Sequence, residues 1–380
     1  MYICTITSIN FKMQINKLSL NYFKNYLEEE FEFSKKVNIF TGNNGAGKTN
    51  VLDAIYYLSF TKSYFNSIDN QNINHGSKYF MINGTYNNSL DTVDTVNCAV
   101  QQNERKRFRL NKKEYSRMAD HIGAFPLVII SPMDINMIFG GSEDRRKYID
   151  SVISQFDKTY LDILLSYNKV LLQRNAFLKI LSENKNTEIS QLDIWDEKFA
   201  FLGNEIYAKR KQFLIDFIPM IRNYYGFISL ENEKAGIEYL SHLSEGDFLS
   251  LLKENRNKDI MMRYSNVGIH RDDLIFTLDN FTLKKYGSQG QQKSFLVALK
   301  LSQFEYTKLK KGFKPLLLLD DIFDKLDFIR IQQMMKLVSR NEFGQIFITD
   351  TNRSRIEKVF EGIDVEIKIF EIDNAKIINV

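Results

Sequence analysis

Residues 37–49 read Val-Asn-Ile-Phe-Thr-Gly-Asn-Asn-Gly-Ala-Gly-Lys-Thr, and this stretch decides the fold. Val37–Thr41 is short, apolar and β-rich, the composition of a buried strand that runs into a loop. Gly42-Asn43-Asn44-Gly45-Ala46-Gly47-Lys48-Thr49 then fits G-x-x-x-x-G-K-[ST] at every position. The glycines let the backbone turn so that successive N–H groups point at phosphate oxygens. A helix predicted over Asn50–Phe60, with Val51, Leu52, Ile55, Tyr56 and Leu58 apolar, adds its positive N-terminal end. All eight loop residues are candidate ATP contacts. Lys48 reaches the β- and γ-phosphates, and the Thr49 hydroxyl ligates Mg²⁺.

Two distant segments complete the pattern. Leu316-Leu317-Leu318-Leu319-Asp320-Asp321 has the form of a buried strand with carboxylates emerging at its C-terminal end, where ligands bind in α/β sheets. Asp320 is the candidate Mg²⁺ residue. Asp321 is the candidate for orienting or deprotonating an attacking water, and with Lys48 these form the predicted catalytic set. Asp324-Lys325-Leu326-Asp327 follows at close range. Ser288-Gln289-Gly290-Gln291-Gln292-Lys293 matches the S-x-G-Q signature of ABC-type ATPases. Ser288, Gly290 and Gln291 are its candidate nucleotide contacts, just ahead of a helix predicted over Gln292–Leu309. In that class the signature serves the ATP of a partner subunit, so two heads close around two nucleotides.

Outward from these motifs the chain divides by pattern. Its 380 residues imply two or three domains. With 44% hydrophobic and 26% charged residues the composition is that of an ordinary globular protein, and the net charge of +4 announces no nucleic-acid binder by itself. Two cysteines, Cys4 and Cys98, make neither a disulfide framework nor a zinc site. No apolar run approaches the ~20 residues that cross a bilayer. The first residues do not resemble a signal peptide, so a cytoplasmic protein is expected. Strands are predicted at Ile15–Leu20, Glu28–Phe33, Val37–Thr41, Phe80–Tyr86, Thr95–Val100 and Leu127–Ile130, with a hairpin turning at Asn111-Lys112-Lys113. From Ile149 to Leu178, and again from Trp195 to Phe217, apolar residues recur at helical spacing. Ser244-Glu245-Gly246-Asp247 reads as the capped start of a shorter helix. The expected architecture is an α/β, ABC-type (SMC-like) P-loop head with an inserted all-helical arm. Its head segments are 13–144 and 259–380, and its arm is 145–258.

These segments together resemble the RecF family. The resemblance runs from about Ile15 to the C-terminus. It is carried by Phe23-Lys24-Asn25-Tyr26, Gly42 through Asp53, Phe60-Thr61-Lys62-Ser63-Tyr64 and Ser131-Pro132-Met133-Asp134. Gly141-Ser142, Arg145-Arg146, Gly268-Ile269-His270-Arg271-Asp272-Asp273, Ser288 to Lys293 and the Asp320-Asp321 strand add to it. It implies ATP-dependent dimerisation on single-stranded and duplex DNA at gaps, and slow, DNA-stimulated ATP hydrolysis used as a switch. It also implies partnership with RecR and RecO in loading RecA, and a part in the SOS response. Where the family often has Gly-Pro-His-Arg and Ser-Pro, this chain has Gly268-Ile269-His270-Arg271 and Ser142-Glu143. Family members begin near Met13, so residues 1–12 are expected to be an extension, which mass spectrometry of the native protein tests.

Other residues stay open between readings. Lys24 is a nucleotide contact or a surface lysine. Asp134 stands at the lid position, and Thr349-Asp350 at the switch position near the γ-phosphate. His270-Arg271-Asp272-Asp273 is a local ion-paired turn or part of the working surface. Arg105, Lys106, Arg107, Arg109, Lys112, Lys113 and Arg117 form the main candidate DNA contact, able to neutralise phosphates without reading sequence. Lys209-Arg210-Lys211 is a second. Rival readings are a transporter ATPase subunit, a DNA-end processing subunit with long coiled coils, and an ATPase fused to a nuclease. The helical insert argues against the first. Short helices without a Cys-x-x-Cys apex argue against the second, and the lack of an extra acidic domain after Asp327 against the third.

Overall fold

The computed structural model describes residues 13–87, 92–184, 186–229, 233–322, 328–338 and 342–380. The expected extension at 1–12 and the Asp324–Asp327 segment lie outside the described residues. Two compact units emerge. One comprises the chain up to Met133, Phe227–Ser229 and Val297–Val380; the other comprises Asp134–Gly226 and the stretch ending at Leu296.

The first unit opens with β1 (Gln14–Asn21), β2 (Glu28–Glu32), β3 (Val37–Thr41) and α1 (Lys48–Phe60). β4 (Tyr79–Asn87), β5 (Val93–Gln101), β6 (Arg107–Leu110), β7 (Lys113–Glu114) and β8 (Leu127–Ile130) follow. The second unit carries α2 (Asn136–Phe139), α3 (Ser142–Ser154), α4 (Lys158–Glu183) and most of α5 (Asp193–Ser229). After these come β9 (Ala235–Leu240), α6 (Phe248–Met262), β10 (Asp273–Leu278), β11 (Phe281–Thr282), α7 (Leu283–Tyr286) and the start of α8 (Gln289–Lys311). The rest of α8, β12 (Leu316–Leu319), α9 (Phe328–Val338), β13 (Ile346–Asp350), α10 (Arg353–Phe360), β14 (Ile367–Asp373) and β15 (Lys376–Asn379) return to the first unit.

Two sheets build the first unit. One is antiparallel, in the order β2-β1-β4-β5-β6-β7. Its strands alternate, as Phe80, Ile82 and Tyr86 or Val96, Cys98 and Val100 show. In β1 the buried Ile15 and Leu18 are three apart because a bulge shifts the register between Ile15 and Lys17. The other sheet runs β15-β14-β3-β13-β12-β8 and is parallel except for the terminal β14–β15 hairpin. Its strands β3, β13, β12 and β8 are buried at every residue, and apolar residues dominate them accordingly. α1 packs against strands of both sheets. Leu52, Ile55 and Leu58 are fully buried on it, each contributing roughly 1.5–3 kcal/mol. The loop at the head of α1 is thereby fixed to two sheets at once. Phe31, Phe40 and Phe370 pack edge-to-face or stacked at 5.4–5.9 Å and join β2 to the parallel sheet.

The second unit is helical around a small antiparallel sheet, β11-β10-β9. The segment 145–258 is therefore not all-helical: β9 lies inside it and pairs with β10 along its whole length. α5 is also longer than its periodicity suggested, 37 residues with Pro219 inside, or about 56 Å at the usual rise. α6 starts one turn later than expected. Asp247, not Ser244, is its cap, accepting from the Ser250 N–H at 2.9 Å, while Ser244 closes a preceding 3₁₀ turn.

Two buried arginines organise this unit. Arg174 on α4 reaches Asp196 on α5 and Asp259 on α6, both at 2.7 Å, and the hydroxyl of Ser265. Arg210 on α5 reaches Asp150 on α3 at 2.8 Å and Asp272 before β10 at 2.9 Å. Removing one partner from such a pair strands a buried charge, at about 3–5 kcal/mol.

Candidate functional site

β3 delivers the loop at the carboxyl end of the parallel sheet, the end at which α/β folds bind ligands. Gly42 has φ 144° and Gly47 φ 118°. A Cβ on Gly42 would stand 2.1 Å from the Ile372 carbonyl oxygen, so only glycine fits there. Gly47 is the N-cap of α1. Ala46 closes the turn onto the Asn43 carbonyl at 3.2 Å, and its own carbonyl accepts from the Ala375 N–H at 2.8 Å. Lys48 Nζ donates to the carbonyls of Gly42 and Asn43 at 2.7 and 2.8 Å. Burial lowers the Lys48 pKa, against the raising influence of Asp321, Asp320 and Asp350.

β13 lies between β3 and β12, so the loop and the Asp320-Asp321 pair end on strands one apart. Thr49 Oγ1 donates to Asp320 Oδ1 at 2.8 Å. Thr349 on β13 donates to the same oxygen at 2.9 Å and accepts the Asp321 N–H at 2.9 Å. Asp321 sits at φ 47°, a left-handed conformation unusual for aspartate, and this bond helps hold it. Burial raises the pKa of Asp320, only partly offset by the Thr49 and Thr349 hydroxyls. Asn44, Gly45, Lys48, Thr49, Asp321 and Thr349 line one cavity of about 170 Å³.

These residues fit a magnesium nucleotide. The loop presents backbone and a lysine to phosphate. The adjacent Thr49 and Asp320 oxygens suit a small hard cation that takes one or two protein ligands and completes its shell with phosphate and water. No cluster of three or more His, Cys, Asp or Glu able to hold a metal exists among the described residues.

The structure brings together Lys48, Thr49, Asp320, Asp321 and Thr349. Lys24 is ion-paired: its ammonium lies 2.6 Å from the buried Asp53 carboxylate, with part of its side chain still exposed. The loop is instead met by the next two residues, Asn25 through the Gly45 carbonyl at 3.4 Å and Tyr26 through the Gly47 carbonyl at 3.3 Å. Sequence reasoning assigned neither a role, although both stand in the quoted Phe23–Tyr26 segment. Asp134 is buried in a 3₁₀ turn.

In the second unit, α8 starts inside the signature, with Ser288 capping it. Ser288 Oγ accepts from the Gln291 N–H at 3.2 Å, and the Ser288 N–H donates to Gln291 Oε1 at 2.7 Å. Gly290 falls in the first turn of that helix. His270 is a packed residue, bonded to the Tyr167 hydroxyl at 2.9 Å and the Ser265 carbonyl at 3.0 Å, and burial pulls its pKa down to about 4. Asp272 and Asp273 pair with Arg210 on α5 and Arg145 on α3, so this segment is ion-paired to two helices of the second unit.

The basic hairpin is only partly a surface. Lys106 turns inward, to Asp69 at 2.8 Å and the Thr61 carbonyl at 2.6 Å. It is a structural lysine and leaves the candidate DNA set. Arg105 donates to the Ser116 carbonyl, while Arg107 and Arg109 pair with Glu104 and Glu114 on the exposed side. Lys112 and Lys113 stand exposed at the turn. Arg210 leaves the second candidate patch, since it is buried.

The family described as RecF/RecN/SMC N terminal domain matches residues 14–377. The DNA replication and repair protein RecF of Phocaeicola vulgatus is 48% identical over 366 residues, covering 96% of this chain and 98% of its own. That of Flavobacterium johnsoniae is 48% identical over 360 residues, covering 95% of this chain and 100% of its own. Solved structures of the recombination mediator protein RecF of the RecFOR pathway, as RecF-ATP and RecF-ATPrS, each superpose with a TM-score of 0.86. They are 29% and 30% identical and cover 97% and 96% of this chain, and 100% and 98% of their own. An Smc head domain from Pyrococcus furiosus, 17% identical with a TM-score of 0.57, shares the fold. The chain belongs to the RecF family of DNA replication and repair proteins.

Proposed function

We propose that this protein is an ATP-switched DNA clamp that acts as a homodimer in recombinational repair. Its partners on this reading are DNA, bound without regard to sequence, and the RecO and RecR proteins with which it promotes RecA loading and the SOS response. One observation carries the nucleotide reading: Thr49 and Asp320, 271 residues apart, share a 2.8 Å hydrogen bond at the mouth of the loop. The loop's backbone and Lys48 hold the ATP phosphates, and Thr49 and Asp320 hold Mg²⁺. When bound, the ion would neutralise negative charge on the phosphates. Asp321, fixed by Thr349, orients the attacking water and takes up its proton. Ser288 offers its hydroxyl to the nucleotide of a second copy, so each site is complete only in the dimer. Hydrolysis opens the dimer and ends its hold on DNA.

Size-exclusion chromatography and DNA binding, each with and without ATP, test this on wild type, Lys48→Ala and Ser288→Arg. Wild type is expected to dimerise and to gain DNA affinity with ATP. Lys48→Ala does neither, and Ser288→Arg binds ATP but stays monomeric. ATP-independent behaviour of all three overturns the proposal.

A further inference from the structure

The cap at the start of α8 has an anchor outside the signature. Within the cap, Ser288 Oγ accepts one hydrogen bond and Gln291 Oε1 accepts another, the reciprocal Ser-x-x-Gln arrangement. This engages the acceptor side of the Ser288 hydroxyl and leaves its hydrogen to donate elsewhere. It also sets the Gln291 amide. With Oε1 committed to Ser288, Nε2 faces outward, and it donates to Glu233 Oε1 at 2.5 Å. The other Glu233 oxygen accepts from the Tyr225 hydroxyl at 2.7 Å.

Tyr225 is fully buried near the end of α5. The chain beside Glu233 is itself pinned. Arg222 on α5 donates to the Ala235 carbonyl at 3.1 Å, and the Lys234 N–H donates to Asp279 Oδ1 at 2.8 Å. A second link runs in parallel, the Tyr225 and Phe295 rings meeting at 6.3 Å almost two turns into α8. A capping box needs no third partner. Here a carboxylate fixes its glutamine and ties it to the long helix of the second unit.

We infer that Glu233 is a positioning residue. Its carboxylate couples the end of α5 to the Gln291 rotamer, and so sets the orientation in which Ser288 is offered to the nucleotide of a second copy. The inference rests on the reading of the signature as half of a composite site. Whatever displaces α5 then reaches the Gln291 amide directly through the Glu233 carboxylate.

Glu233→Ala, Glu233→Gln and Tyr225→Phe test it, with Ser288→Arg as control. The readouts are binding of a fluorescent ATP analogue, the ATP-dependent dimer Kd by analytical ultracentrifugation, and Tm. Glu233→Ala is expected to bind the analogue like wild type with an unchanged Tm. Its dimer Kd rises about tenfold or more, the effect of losing one charge-assisted hydrogen bond. Tyr225→Phe shifts the Kd the same way by less. Glu233→Gln restores most of it, because its oxygen accepts from Gln291 while its amide donates to Tyr225. Wild-type dimerisation of Glu233→Ala overturns the inference, as does a parallel loss of Tm and analogue affinity. If Ser288→Arg dimerises with ATP like wild type, the underlying composite-site reading fails instead.

Discussion

Asp320 carries its charge where burial resists it. Its raised pKa means that the folded protein favours the neutral form, so the contribution to stability is present below the ordinary value of 3.8 and lost as pH rises through the folded value. At neutral pH the ionised carboxylate therefore costs stability, which Mg²⁺ would recover if Asp320 holds it as proposed. Asp320→Asn is expected to raise Tm by a few degrees without Mg²⁺, and to lose the further rise that Mg²⁺ with ATP gives wild type. In wild type, Mg²⁺ affinity falls as pH drops toward the raised pKa of Asp320, and the variant shows no such dependence. Differential scanning fluorimetry across pH and Mg²⁺ concentration reads both. At this scale the loop was legible because its requirements are local: positive φ at Gly42 and Gly47, and a lysine one residue into the helix. The fates of Lys24, Lys106 and Arg210 were not. Each is neutralised by a carboxylate 29, 37 or 60 and more residues away, and sequence spacing holds no record of such pairings.

Among the elements, the β6–β7 hairpin divides into a structural and an exposed part. Lys106→Met removes a half-buried ammonium from Asp69, Thr61 and Tyr57. It is expected to lower stability by about 1–3 kcal/mol while leaving the salt dependence of DNA affinity unchanged. The double change Lys112→Ala/Lys113→Ala touches only exposed side chains, so stability stays within about 0.5 kcal/mol. If both lysines sit on duplex phosphates, the slope of log affinity against log salt falls in magnitude by about 1.8. Urea denaturation and DNA titrations at several salt concentrations separate the two effects, and an unchanged slope removes the hairpin from the DNA surface. Elements buried on both faces, β3 and β8, were read from sequence to the residue because each is a short run rich in β-branched or aromatic residues and closed by a turn signal, Gly42 or Pro132. β9 was missed inside a helical stretch, since its partner β10 lies some 35 residues further on. α5 runs twelve residues beyond Phe217, the last apolar residue of the sequence pattern, and continues through Pro219.

For the molecule as a whole, the two motif sets fall in different compact units: the loop and the Asp320-Asp321 pair in the first, and Ser288 through Lys293 in the second. A chain can bind nucleotide with the first set alone. On the proposed function, the second set serves another copy. Mixing two inactive variants tests this most directly. In a heterodimer of Lys48→Ala with Ser288→Arg, one composite site combines both lesions. The other combines an intact loop with an intact signature. Sedimentation of each variant with ATP should show monomers, and the equimolar mixture should show a heterodimer carrying one nucleotide. A mixture that stays monomeric, or a Ser288→Arg variant that dimerises alone as tightly as wild type, contradicts the account.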